Sequence, residues 1–126
     1  MRAVATAKDL YTYGATVLRV VDGDTLWVAL HLSPVDSRKE KLRLRGIDCP
    51  ELGTVAGDAA ARYVQTLLRE AQRIVIASTK PDKWDRYLCD VFVTPAEGPD
   101  IFLNNRLLEL GFARRYDDVA PEDWET

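Results

Sequence analysis

One amphipathic helical pattern, set between short runs of β-forming residues, limits this chain to few folds. Apolar residues recur at helical spacing from Ala60 to Ala71, with charged and polar residues between them. Three β-forming runs precede this helix and two follow it, and a short helical stretch comes last, near residues 104–110. This order predicts an α+β protein: a five-stranded OB-fold barrel with a helix between strands 3 and 4 and a short C-terminal helix.

The predicted strands are apolar or alternating runs bounded by turn residues. They cover residues 14–21, 25–32, 73–79 and 87–94, and the third strand begins at Leu42. The sequence Asp22-Gly23-Asp24-Thr25 predicts a hairpin with a primed two-residue turn, and residues 33–41 are predicted to form a polar loop. Asn104 is expected to cap the second helix, and Gly111 is expected to end it.

The 126 residues suffice for one domain with one core. We divide them into a lead-in at 1–13, an OB-fold domain at 14–116 and an acidic tail at 117–126. No apolar run is long enough to span a membrane, and the N-terminus lacks the apolar stretch of a signal peptide. We therefore expect a monomer that does not associate with membranes, either cytoplasmic or excised from a longer or secreted protein. Cys49 and Cys89 match no zinc or redox spacing.

Charge is distributed unevenly along the sequence. The formal net charge of −3 includes five acidic residues in the tail, where no basic residue occurs. Five basic residues, by contrast, fall within positions 38–45, with only Glu40 opposing them. A near-neutral body with a basic stripe is compatible with a phosphate-bearing partner and does not require one.

The segment from Leu42 to Glu51 holds an unusual set of charges. Arg43 and Arg45 share one face of a strand, and Asp48 and Glu51 follow in a turn that Pro50 stiffens. The four charged groups could simply be solvated and pair with one another, or they could form a site. Arg45 is the one that we expect to be a structural or peripheral cation.

Four separated pieces of sequence bear on this choice. They are Asp22-Gly23-Asp24-Thr25, the stretch from Arg43 to Glu51, the stretch from Asp82 to Arg86, and the stretch from Asn104 to Tyr116. In this order and at these spacings, the chain resembles the staphylococcal nuclease (thermonuclease) family over residues 14–116. The resemblance implies the OB-type barrel already predicted from the pattern.

The resemblance also implies a role for individual residues. Calcium would be bound by Asp24, Asp48 and the backbone carbonyl of Cys49, with Asp22 close to the metal but not bound to it. Glu51 matches the general base, and Arg43 and Arg86 match two catalytic arginines. The substrate contacts that it implies are Lys83, Trp84 and Tyr116.

The residue types suit the chemistry of phosphodiester hydrolysis. A calcium ion prefers carboxylate and carbonyl oxygens, and guanidinium groups donate paired hydrogen bonds to phosphate oxygens. A carboxylate can orient or deprotonate the attacking water. We therefore expect a calcium-dependent nuclease acting on single-stranded or frayed DNA and RNA. The family resemblance implies products with a 3′-phosphate and a 5′-hydroxyl.

A non-catalytic reading stays open: an OB-fold module that binds nucleic acid or a protein partner. The chain departs from the family in ways that favour it, since the loop after Glu51 is short and lacks lysines, Asp85 precedes Arg86, and the tail is acidic. Trp84 stands where the family has a tyrosine and could be a packed loop residue instead. The acids at 22 and 24 could be turn formers only, and His31 is expected to be a strand-end residue.

Overall fold

A computed structural model of the protein describes residues 12–81 and 87–115. The strands are β1 (Thr12–Asp22), β2 (Thr25–Ser33), β3 (Asp36–Leu44), β4 (Ile47–Asp48), β5 (Arg73–Pro81), β6 (Tyr87–Thr94), β7 (Ile101–Phe102) and β8 (Arg114–Arg115). The helices are α1 (Val55–Arg69) and α2 (Leu103–Glu109). The predicted order of elements is therefore confirmed, with three further two-residue strands.

The five long strands close into a barrel. Strand order is β3-β2-β1-β5-β6 with β7 at the edge of β6, and all these neighbours are antiparallel. A parallel pairing between β3 and β6, which sets Arg43 opposite Leu88, joins the two ends of the sheet. The prediction of an α+β protein with an OB-fold barrel is confirmed.

The barrel interior is filled by alternate residues of the strands, because successive strand side chains point to opposite faces. Leu26, Val28, Leu42, Leu44 and Ile76 are fully buried there. The remaining core side chains come mainly from β6 and from one face of each helix. Both cysteines are buried and free, so no disulfide joins them. Among the helices of the described residues, none has the length and hydropathy of a membrane-spanning segment.

Helix α1 connects β4 to β5 and packs against β1. It begins after Thr54, whose hydroxyl oxygen accepts a hydrogen bond from the Gly57 N–H at 2.9 Å, the usual N-cap contact. Ala60, Val64 and Leu68 recur every four residues and bury the apolar face against the barrel. The helix therefore fixes the chain that leaves β4, which carries Glu51.

Helix α2 ends as predicted but begins differently. Gly111 has a φ of +79°, and the N–H groups of Gly111 and Phe112 donate to the carbonyls of Leu108 and Leu107, which is a Schellman motif. The predicted N-cap role of Asn104 was wrong, because the helix starts at Leu103 and residue 104 lies within its first turn. The Asn104 side chain points instead into the barrel, as described below.

Two predicted boundaries also change. The loop predicted at residues 33–41 was wrong, because β3 begins at Asp36 and only Pro34 and Val35 separate it from β2. The Ser33 hydroxyl accepts hydrogen bonds from the N–H groups of residues 35 and 36 and closes this tight turn. The first part of β3 is exposed to solvent, which explains its polar sequence. The predicted lead-in also overlaps β1 at residues 12 and 13, and the acidic tail lies outside the described residues.

Candidate active site

Asp24 lies in the turn between β1 and β2, where folding removes its carboxylate from water. The residue is 3% exposed. Its two carboxylate oxygens accept hydrogen bonds from the Thr25 hydroxyl at 2.9 Å and from the Cys49 N–H at 2.8 Å. Asp22 supports the turn from outside, because its Oδ1 accepts a hydrogen bond from the Asp24 N–H at 3.1 Å. Asp24, a predicted metal ligand, thus holds the β1–β2 turn against the chain that follows β4, and Asp22 supports that turn.

Gly23 permits this close approach. A Cβ atom at residue 23 would lie 2.7 Å from the Cys49 sulfur and 3.0 Å from the Ala60 Cβ, closer than real contacts of that kind. Gly23 is not among the glycines with positive φ, so the predicted primed turn, which needs positive φ at this position, was wrong. The glycine is required by packing against residues 49 and 60.

Arg43, near the end of β3, lies between two carboxylates. Its Nη1 is 3.4 Å from Asp24 Oδ1, and its Nη2 is 3.4 Å from Asp48 Oδ1. Nη2 also donates a hydrogen bond to the Ile47 carbonyl at 3.0 Å. The guanidinium is held in place by the turn after β3, which Gly46 makes possible with a φ of +81°.

Asp48 is half-buried and also faces a second arginine. The pairing of β4 with β8 sets Asp48 opposite Arg114, whose Nη2 lies 3.8 Å from Asp48 Oδ2. A depression of about 370 Å³ opens beside them, lined also by Pro50 and Phe112. Arg114 was missed from the sequence, where the only signal was two adjacent arginines just before Tyr116. A larger groove of about 690 Å³ lies elsewhere, between β1 and the end of α1.

Glu51 is exposed at the start of the loop that enters α1. Its backbone carbonyl accepts hydrogen bonds from the Thr54 hydroxyl at 2.7 Å and from the Thr54 N–H at 3.3 Å. Gly57 lies so close to this carbonyl that a Cβ at residue 57 would overlap it. The first turn of α1 therefore holds the backbone of the predicted general base.

Burial determines the protonation of the site. It raises the pKa of Asp24 from 3.8 to about 6, and the nearby Asp22 carboxylate acts in the same direction, while the Cys49 N–H and Arg43 oppose the rise. Burial, together with the charge of Asp24, raises the pKa of the Cys49 thiol to about 12. With no metal ion bound, the thiol is therefore protonated at neutral pH and is not a thiolate nucleophile.

The structure brings some of the predicted site residues together. Asp24, Arg43 and Asp48 meet, but no group of three or more His, Cys, Asp or Glu side chains in the described ranges is placed to hold a metal ion. Four predicted residues lie outside the described residues and stay predictions: Lys83, Trp84, Arg86 and Tyr116. His31 hydrogen-bonds Thr16 at 2.8 Å on the exposed end of β2, as expected of a strand-end residue.

A buried polar network lies beneath the site. Arg45 pairs with Asp90 through two contacts, from Nε at 3.3 Å and from Nη2 at 3.0 Å, and so is the structural cation expected. The Asn104 amide group donates to the carbonyls of Arg45 and Cys89, and its oxygen accepts from the Val91 N–H. Asp90 and Asn104 were missed as supporting residues, since their partners are distant in sequence.

Comparisons with known proteins bear on the same segments. A family model described as staphylococcal nuclease homologue matches residues 41–125. An uncharacterized protein of Methanocaldococcus jannaschii is 30% identical over 129 residues, which cover 82% of this chain and 59% of that relative. The chain thus spans less than two thirds of the relative's length. The family match begins after Asp24, and folding is what brings Asp24 against Arg43.

Proposed function

Because this chain belongs to the staphylococcal nuclease homologue family, we propose that it is a calcium-dependent nuclease that hydrolyses phosphodiester bonds of DNA and RNA. The observation that carries the proposal is the position of Arg43, a buried guanidinium held between Asp24 and Asp48, of which Asp48 lines a surface depression. The proposed substrates are single-stranded or frayed nucleic acids, and the proposed state is a monomer.

The donor set suits calcium rather than a softer metal. Asp24 and Asp48 offer carboxylate oxygens, which are the ligands of a hard divalent cation. Asp24, Asp48 and the Cys49 carbonyl would hold the ion, and Asp22 would steady the turn. The bound ion would supply positive charge beside a phosphate oxygen.

The chain's own residues supply the remaining chemistry. Arg43, and with it Arg86, would donate hydrogen bonds to phosphate oxygens as negative charge develops on them. Glu51 would orient a water molecule and accept its proton as the water oxygen attacks phosphorus. The bond from phosphorus to the 5′-oxygen then breaks and that oxygen takes a proton from solvent water, which leaves a 3′-phosphate and a 5′-hydroxyl. Lys83, Trp84 and Tyr116 are proposed to hold the nucleotide.

Digestion of heat-denatured DNA tests this proposal. We expect cutting with calcium, none with excess chelator, and at least a hundredfold loss of rate in Glu51→Gln. Glu97→Gln, which makes the same change at an exposed carboxylate between β6 and β7, is the matched control and should cut normally. If Glu51→Gln and Glu97→Gln cut at equal rates, Glu51 is not the base. If no sample cuts although the protein is folded, the nuclease proposal is wrong.

One observation favours a second function, a non-catalytic OB-fold module that binds nucleic acid or a protein. The Arg43 side chain is only 11% exposed and is already paired with two carboxylates, so a phosphate would have to compete for it. A titration with labelled oligonucleotide separates the two functions, because the module would bind without any turnover in calcium.

A further inference from the structure

Three residues form a row across the outer face of the barrel next to the proposed site. Arg19 of β1 pairs directly with Trp27 of β2, and Trp27 pairs directly with Lys41 of β3. Directly paired residues on neighbouring antiparallel strands project from the same face. We call Arg19, Trp27 and Lys41 the aromatic row.

The aromatic row lies on the same face as Arg43. Leu26 and Val28 of β2 are fully buried inside the barrel, so the alternation places Trp27, and Thr25 with an exposure of only 4%, on the opposite face of the strand. Thr25 pairs with Arg43, which places the guanidinium on this outer face, two residues along the strand from Lys41. The step between the two rows is about 7 Å. That distance is close to the spacing of successive nucleotides in an extended single strand.

The three side chains are available to a ligand. Trp27 is 37% exposed, which is high for so large an apolar side chain, and Arg19 is exposed. Lys41 is partly buried. Within the described ranges, neither cation of the row forms an ion pair. The row thus places an indole between two cations, neither of which is paired with an acid in the described ranges. This arrangement suits a ligand with both a flat ring and negative charge.

We propose that the aromatic row is a base-stacking subsite for single-stranded nucleic acid, occupied by a nucleotide that flanks the phosphate bound at Arg43. This inference rests on the proposed function. The indole would stack on an unpaired base of any sequence, and Arg19 and Lys41 would contact the adjoining phosphates.

Two phenylalanine rings are also exposed on the described surface, but they differ from Trp27 because each already has an aromatic neighbour. Phe92 is also 37% exposed, but it stacks on Phe102 with ring centroids 5.1 Å apart, so the two rings already contact each other. Phe92 lies on β6, outside the β1–β2–β3 face. Phe92→Leu therefore removes an equally exposed aromatic ring and is a matched control for Trp27→Leu.

Binding is measured in the full chain carrying Glu51→Gln, so that the probe stays intact. The probe is a fluorescein-labelled oligothymidylate of eight nucleotides, followed by anisotropy at several salt concentrations. We expect Trp27→Leu to weaken binding between about fivefold and a hundredfold, Trp27→Phe to retain most of it, and Phe92→Leu to leave it unchanged. Lys41→Gln should lower the salt slope by about 0.7.

A second measurement reports on the indole itself. In a chain with Trp84→Phe and Trp124→Phe, Trp27 is the only tryptophan left. Stacking on thymine predicts quenched fluorescence at saturating oligonucleotide. If the parent binds the probe but Trp27→Leu binds equally well and Trp27 fluorescence is unchanged, the subsite is wrong while the proposed function stands. If the parent does not bind the probe at all, both proposals are wrong.

Discussion

Asp24 is an acid whose native environment favours its neutral form. Burial raises its pKa to about 6 from 3.8, so that between these values the folded protein holds a proton that the unfolded chain has released. The folded state then binds more protons, and raising the pH through this interval lowers the free energy of unfolding. A shift of this size corresponds to at most about 3 kcal/mol.

We predict that Asp24→Asn removes this pH dependence. Measured by urea unfolding in chelator, the variant should gain stability relative to the parent as pH rises from about 4 to 7, because an amide never ionises. Asp36→Asn, at an exposed acid in the β2–β3 turn, is the control and should follow the parent. Curves for Asp24→Asn and the parent that stay parallel across this interval would contradict the assignment.

At the scale of single residues, sequence patterns pointed to the residues that lie in recognisable local motifs. The proximity of Asp24, Arg43 and Asp48 could be predicted because short stretches of neighbouring residues mark them, and their roles stay predictions. Arg114 and Asp90 could not, because their roles depend on partners that pairing between strands brings close: Asp48 in β4 for Arg114, and Arg45 for Asp90. The register of those strands is set by the whole barrel, and no neighbouring residue encodes it.

Among the elements, the start of α1 controls where Glu51 lies. A methyl group at residue 57 would overlap the Glu51 carbonyl, so either the loop or the helix must move. We predict that Gly57→Ala lowers both the nuclease rate, by tenfold or more, and the free energy of unfolding, by about 2–4 kcal/mol.

Gly53→Ala is the matched control for this prediction. Gly53 lies in the same loop with a φ of +96°, but a Cβ there would meet nothing within 4 Å. Gly53→Ala should lower the free energy of unfolding only by the backbone strain, about 1–3 kcal/mol, and should leave the Glu51 carbonyl undisturbed. The two variants are compared by their rates of DNA digestion and by the urea concentrations at which they are half unfolded. If Gly53→Ala lost more activity than Gly57→Ala, the contact between residues 51 and 57 would not position the base.

The Asn104 side chain connects α2 to β6 and to the turn after β3 through hydrogen bonds. Replacing it with alanine would leave the Val91 N–H and the carbonyls of Arg45 and Cys89 without this partner in the protein interior. We predict a loss of about 3 kcal/mol in the free energy of unfolding, measured by chemical denaturation. Asn105→Ala, the same change at the adjacent exposed position of α2, should cost less than about 1 kcal/mol. Equal losses would mean that the buried amide contributes no more than helix propensity.

The sequence predicted elements well where local signals agree. Helix α1 was predicted from its amphipathic stripe, and the end of α2 was predicted from Gly111, which has a left-handed backbone. The first half of β3 could not be predicted, because it projects into solvent and carries charged side chains on both faces. The hydrogen bonds to its neighbour β2 define it as a strand, whatever its composition.

For the molecule as a whole, charge opposes the binding of a polyanion. The five acids of residues 117–126 account for the sign of the net charge of −3, and changing each to its amide would bring the total to +2. We predict that this variant binds oligothymidylate more tightly at low salt, because long-range repulsion of the phosphates is removed. The advantage should vanish near 1 M salt, where the screening length is about 3 Å. Equal affinity of the two proteins at low salt would show that the tail charges do not act on the ligand.

The barrel as a whole was predictable from the order of its elements, whereas the pair of strands that closes it was not. Antiparallel neighbours joined by short turns follow from the hairpin signals, but the parallel contact of β3 with β6 joins segments more than forty residues apart. Such a contact depends on strand tilt and on the length of the closed sheet, which no local pattern records.

This closure has a consequence for the time at which the protein becomes active. Translation completes Asp24, Arg43, Asp48 and Glu51 well before β6, yet β3 has its second neighbour only after β6 exists. Contacts so distant in sequence form late in folding. We therefore expect the growing chain to be inert until β6 has left the ribosome. Under the proposed function, a nuclease that is completed in this order would not cut the messenger that encodes it while it is being made.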